Sequence, residues 1–145
     1  MAKIDKNKQK EIDAKAAALQ AELLKEDNAL LDMERQHKKD QAAMDERIND
    51  LEERHFKLRT LYEEFGGLAY SPSYPDGEGV QEFRRLLEEY AGVTDHEFLY
   101  RRQILGDEEA DLIETYQKEH RKQEDKIESL YAQKNALYRE EEEES

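Results

Sequence analysis

From Lys8 to Phe65 the chain has neither glycine nor proline, and apolar residues recur along it at alternating steps of four and three. The row runs Ile12, Ala16, Leu19, Leu23, Glu26, Leu30, Met33, His37, Asp40, Met44, Arg47, Leu51, Arg54, Leu58, Leu61 and Phe65. Eleven of its sixteen positions are apolar, and most of the flanking ones are charged or amide side chains. This is a narrow heptad stripe on a charged helix, and it predicts one long helix over residues 8–65 packed along a partner helix. Leu24, Leu31, Ile48, Phe56 and Tyr62 lie beside the stripe and widen it towards the face of a bundle helix. So polar a helix is not held by propensity alone and needs something alongside.

Gly66-Gly67 is expected to end this helix and open a loop over residues 66–79. Within that loop Pro72 and Pro75 disfavour helical geometry at Ser71 and Tyr74, and Pro75-Asp76-Gly77 reads as a turn. A short amphipathic helix is expected over residues 80–92, with Phe83, Leu86, Leu87 and Tyr90 on one face and Gly92 as its stop. Thr94-Asp95-His96-Glu97 then has the form of a capping box, predicting a second long helix over residues 94–141. Its stripe includes Phe98, Leu105, Leu112, Tyr116, Ile127, Leu130 and Leu137, with Ile113, Tyr131 and Tyr138 beside it. Gly106-Asp107 is a candidate kink, and residues 142–145 form an acidic tail.

Two long helices joined by a compact tip fold most simply as an all-α, coiled-coil-like antiparallel hairpin, a single helical domain over residues 1–145. Nine of the twelve aromatic residues fall between Phe56 and Tyr100. The short helix is therefore expected to bury Phe56, Tyr62, Phe65, Phe83, Tyr90 and Phe98 in a small tip core. The alternative is an aromatic docking surface, with Tyr70 and Tyr74 exposed.

Composition narrows the function classes. Charged residues make up 41% of the chain and the formal charge is −14, so the surface repels phosphate backbones and anionic lipids. Nucleic-acid binding and membrane insertion are not expected, and no apolar run reaches transmembrane length. With no cysteine, thiolate chemistry and disulfides are excluded. The basic start is not followed by a signal-peptide core, so residence in the cytoplasm is expected, with export lacking a cleaved signal as the alternative. Lys3, Lys6, Lys8 and Lys10 oppose Glu140 to Glu144 in sign and would meet them in a hairpin.

Catalytic patterns are lacking. Glu34-x-x-His37 and Glu52-x-x-His55 match the helical pair of di-iron bundles, but that site needs its pairs on different helices at one level. His37 reads instead as a polar seam residue, His55 as partly exposed, and His96 as part of the cap. His120 has no ligand set near it in sequence. No Gly-rich phosphate loop or nucleophile elbow is present. Arg84-Arg85 and Arg101-Arg102 are expected to pair with local glutamates. No enzyme activity, metal or cofactor is expected.

Three segments carry a family likeness: Gln81-Glu-Phe-Arg-Arg-Leu-Leu-Glu-Glu-Tyr90, Leu112-Ile-Glu-Thr-Tyr116, and the closing run from Lys122 through Tyr131 to Leu137-Tyr-Arg-Glu140. In them the chain resembles the Lap family, small α-helical proteins encoded beside LXG toxins of Gram-positive type VII secretion systems. The likeness covers about the C-terminal two-thirds. It implies a WXG-like hairpin that binds the helical LXG domain of a cognate toxin, with or without a second small helical protein, and directs it to the secretion machine. Phe65-Gly66-Gly67 stands where such proteins carry a Trp-x-Gly turn. Tyr138 and Glu142 match the Tyr-x-x-x-Asp/Glu pattern that serves as a C-terminal export signal.

The partner-binding stripe expected on this reading is Leu19, Leu23, Leu30, Leu51, Leu58, Leu112, Ile127 and Leu130. A homo-oligomeric coiled coil, such as a phage scaffolding protein, is the alternative. A prefoldin-like holdase ranks behind it, because residues 66–79 are too short and irregular for the β-hairpins such proteins insert.

Overall fold

The computed structural model describes residues 6–70 and 78–144. They form two helices, α1 (Lys6–Ala69) and α2 (Glu78–Glu144), packed against each other as an all-α hairpin, with no strand among the described residues. The chain divides into two compact units. Unit 1 comprises residues 1–39 and 113–145, and unit 2 comprises residues 40–112. In unit 1 the antiparallel pairing carries Gln9 to Glu141 and Glu34 to His120. In unit 2 it carries Gln41 to Glu109 and Ala69 to Arg84.

Both helices are longer than the glycines suggest. α1 passes through Gly66-Gly67 to Ala69, and the Tyr70 N–H donates to the Gly66 carbonyl at 2.9 Å. The short helix expected over 80–92 is not separate but forms the first turns of α2, which runs through Gly92 without a break. Neither glycine pair nor singlet needs a left-handed backbone here, since no described glycine has positive φ. A helical glycine costs only about 1 kcal/mol relative to alanine, which seam packing readily offsets. The expected capping box accordingly does other work: Thr94 donates its hydroxyl to Tyr62 Oη at 3.2 Å, and Glu97 accepts from Arg101 at 2.7 Å. The Pro75-Asp76-Gly77 turn and Tyr74 lie outside the described residues.

In unit 1 the heptad row is the seam. Ile12, Ala16, Leu19, Leu23, Glu26, Leu30, Met33 and His37 are all buried or half-buried, and Leu23 is the most enclosed at 1% exposure. In unit 2 the seam moves one residue on. Met44, Ile48, Leu51, His55, Tyr62, Gly66 and Ala69 are enclosed, whereas Arg47, Arg54, Leu58, Leu61 and Phe65 are exposed. The cause is the mismatch between 3.6 residues per turn and a 3.5-residue repeat, which rotates a strict heptad row by roughly 20° per heptad. Five heptads beyond Ile12 the drift reaches about 100°, the angle between neighbouring helical residues. On α2 the seam keeps contact by taking successive steps of four at Thr94, Phe98 and Arg102.

The expected tip core does not form, because the helix that would have folded over it is part of α2. Tyr62, Phe83 and Phe98 are half-buried, but Phe56, Phe65 and Tyr90 are exposed. The end of α1 is closed by Arg84, which donates from Nε and Nη2 to the Ala69 carbonyl at 3.0 and 2.7 Å and lies over the Tyr70 ring. This satisfies a carbonyl that a helix C-terminus otherwise leaves unpaired.

Two outcomes follow for stability. Leu23→Ala should cost about 2–3 kcal/mol, the lower range for core truncations because a thin seam can collapse, while Leu24→Ala should stay within about 0.5 kcal/mol. Urea titrations followed by circular dichroism measure both. Gly67→Ala and Gly92→Ala, where a Cβ meets nothing within 4 Å, should each raise the melting temperature through up to about 1 kcal/mol of helix propensity. A lowered melting temperature at either position would mean that the chain turns there.

Candidate functional site

The seam carries polar layers that hold the pairing in place. In unit 1, Glu26 is buried and takes Lys126 Nζ at 2.9 Å. The Gln123 amide donates to the Glu26 carboxylate at 2.7 Å and to its backbone carbonyl at 2.9 Å. The Gln123 bond first, and then Lys126, hold the Glu26 carboxyl below the usual carboxylate value. Two to three helical turns away His37 stacks on Tyr116, ring centroids 3.7 Å apart, and Tyr116 in turn meets His120. His120 places Nε2 3.1 Å from Glu34 and Nδ1 2.9 Å from Glu124. Burial, reinforced by Glu34 and Glu124, pushes the Tyr116 hydroxyl above the ordinary tyrosine value. The start of α1 reaches the end of α2 through Gln9, whose Nε2 donates to Glu141 at 3.2 Å.

In unit 2, Asp95 bridges His55 (2.8 Å) and Arg59 (2.6 Å), and His55 stacks on Phe98 with centroids 3.9 Å apart. Thus the two Glu-x-x-His pairs of the sequence serve the helix-to-helix contact: Glu34 with His120, His37 with Tyr116, and His55 with Asp95. Among the described residues no group of three or more His, Asp or Glu side chains is disposed to hold a metal ion. Among the described residues no helix is long and apolar enough to cross a membrane.

Seven of the eight residues expected to bind a partner, namely Leu19, Leu23, Leu30, Leu51, Leu112, Ile127 and Leu130, are buried or half-buried at the chain's own seam positions. Only Leu58 is exposed. Phe65-Gly66-Gly67 lies within α1, not in a turn. Tyr138 is exposed on α2, with Lys134 near its ring, and Glu142 lies one helical turn further on. Arg85 and Arg101 pair with neighbouring glutamates as expected, and Arg102 reaches Glu52 at 3.6 Å.

The large apolar side chains exposed in unit 2 include Phe56, Leu99 and Tyr100, and with them the displaced heptad row. On α1 it is Leu58, Leu61, Phe65 and Leu68, between 41% and 61% exposed. On α2 the matching flank carries Tyr90, Val93 and Ile104. Two clefts of about 330 Å³ each open along this side, sharing Leu51, Arg54 and Arg101 in their walls. Leu58 and Val93 line one cleft and Ile104 the other, so the two exposed rows border a common groove. The sequence alone showed the row but assigned it to the hairpin seam, and only the drift of the repeat frees it.

The architecture is that of an all-α hairpin with an apolar row outside its seam. No protein-family model, curated protein or solved structure matches the chain.

Acid should weaken unit 1 through Glu26. Its native carboxyl binds protons less tightly than the unfolded one, so its stabilisation is complete above the unfolded value near about 4.3 and is lost as pH falls through the native value. Urea midpoints measured from pH 7 to pH 3 should fall less steeply for Glu26→Gln than for the unaltered chain. Parallel curves would remove Glu26 from the account.

Proposed function

We propose that this chain is a non-catalytic targeting factor or chaperone that binds the helical N-terminal domain of an LXG toxin for type VII secretion. The observation that carries the reading is the uncovered apolar row Leu58, Leu61, Phe65 and Leu68, set at helix-packing spacing beside a seam already filled by the chain's own helices. A helix laid along that row buries side chains that otherwise face water, at about 25 cal/mol per Å² of apolar surface removed. The family likeness of the second half supplies the cargo class. Under this reading the residues of the internal seam build the hairpin, the displaced row takes the partner, and a second small helical protein can join the complex. The chain works in the cytoplasm, and Tyr138 with Glu142, one turn apart on α2, is the candidate export signal. No residue is assigned to catalysis.

Mixed with a recombinant LXG domain, the chain should elute as a complex of fixed stoichiometry by size exclusion with light scattering. The pair Leu61→Glu and Leu68→Glu should keep the helical circular-dichroism spectrum and lose the complex. An unchanged complex would remove the row from the mechanism. A large homo-oligomer that ignores the toxin domain would favour a structural, scaffold-like protein instead.

A further inference from the structure

The end of α1 is held from outside its own sequence. Its last turn contains Gly66 and Gly67, which have little helix preference, and no basic residue to complement the negative end of the helix dipole. α2 supplies what is missing. Arg84 donates from Nε and Nη2 to the Ala69 carbonyl at 3.0 and 2.7 Å, and its guanidinium lies over the Tyr70 ring, 4.4 Å from the centroid. Tyr70 donates its hydroxyl to Glu88, one turn further along α2, at 3.1 Å, while its N–H keeps the helical bond to Gly66. Ala69 and Val80 are buried beside these contacts. The bonds join residues separated by 15 and 18 positions in the chain. Cross-helix bonds further along close longer stretches: 32 positions for Thr94 with Tyr62, 40 for His55 with Asp95, 97 for Gln123 with Glu26 and 132 for Gln9 with Glu141.

We infer that Arg84, Ala69, Tyr70 and Glu88 form a clasp that closes the hairpin first and opens last. The chance that a flexible chain brings two residues together falls as the 3/2 power of the length between them, so Arg84 meets Ala69 roughly 25 times more often than Gln9 meets Glu141. Once the clasp is made, each further pair needs only a few more residues to close. The helices therefore pair from the clasp through unit 2 and then through unit 1, and they part in the reverse order. Connectivity enforces the same order at equilibrium. Opening unit 2 alone would leave residues 40–112 as a loop tied at both ends by unit 1, whereas opening unit 1 alone releases two free ends. Burial pulls the other way, because Leu23 and Glu26, both enclosed, lie in unit 1. The charged, two-pronged bond from Arg84 is what holds unit 2 against that pull, since hydrogen bonds from a charged donor are the stronger kind. Unit 1 thus opens while unit 2 stays paired, and the row Leu58, Leu61, Phe65 and Leu68 keeps its setting. The inference concerns the fold and holds whatever the chain binds.

Hydrogen exchange of the unaltered full chain, followed by mass spectrometry in rising sub-denaturing urea, reads the order of opening. Amides of residues 55–69 and 84–95 should exchange at least about tenfold more slowly than those of residues 12–30 and 120–137. Equal rates in the two units, or slower exchange in unit 1, would overturn the clasp. Stopped-flow refolding of variants tests which residues carry it. Arg84→Gln and Tyr70→Phe should each slow refolding about threefold or more and leave unfolding within about twofold, because the contacts they remove are made in the transition state. Gln123→Ala in unit 1 should do the opposite, speeding unfolding with refolding unchanged. Arg84→Lys, which keeps the charge on a single amine, should recover part of the refolding rate lost in Arg84→Gln. Faster unfolding with unchanged refolding in Arg84→Gln would mean that the contact forms late and only adds stability, which removes the clasp.

Discussion

A hairpin of two helices has a single seam, and each apolar side chain either enters it or stays in water. Among the described residues only a handful are fully enclosed, Leu23 the largest of them, so there is no thick core in which packing errors could be shared. The seam therefore needs devices that fix pairing, and these are polar. Glu26 with Gln123 and Lys126, His37 with Tyr116, and His55 with Asp95 and Phe98 are contacts that a one-turn slip would break. Leucine against leucine tolerates such a slip at little cost. A buried carboxylate stripped of its lysine and amide does not. We attribute the seam's polar interruptions to register, at some cost in stability, as single polar residues act in coiled coils.

The same constraint explains what was legible in the sequence. The uninterrupted run from Lys8 to Phe65 and the stripe of Phe98, Leu105, Leu112, Ile127 and Leu130 were enough to give the two helices and their antiparallel pairing. In unit 1 the predicted seam matches residue by residue. In unit 2 a strict heptad count places Leu58, Leu61 and Phe65 in the seam, and the helix turns them out of it. The sequence held the signal in the neighbouring positions Ile48 and Tyr62, which widened the stripe on the side towards which the seam moves. Glycines misled in the opposite direction. Gly66, Gly67 and Gly92 look like helix stops, but a stop also needs a competing conformation, and neighbours on the seam hold each of them helical.

The candidate site was legible only in its parts. Arg47 and Arg54 appeared as interruptions of a seam, and Arg101 as a partner for a nearby glutamate. Their convergence on one groove depends on which flank of α1 faces which flank of α2, a relation that two separate helical patterns do not contain. Local ion pairing was right in kind: Arg101 does meet Glu97. Arg84 has a role that local charge pairing does not suggest, because its guanidinium donates to a backbone carbonyl at the end of α1.

A protein that holds itself together and also binds a helix faces a conflict when both tasks use the same residues. If the partner had to enter the seam, binding would require the hairpin to open, and the loss of Leu23 and Leu30 burial would be charged against affinity. The drift of the heptad row avoids this. In unit 2 the row Leu58, Leu61, Phe65 and Leu68 lies outside the seam, so on the proposed reading a partner reaches it while the seam stays closed. The arginines on that flank then have a reason to sit where a purely internal stripe would have leucines. Inside a seam they would be buried charges needing partners. On the outer flank they stay exposed and pair with surface carboxylates of the chain itself, beside the apolar row.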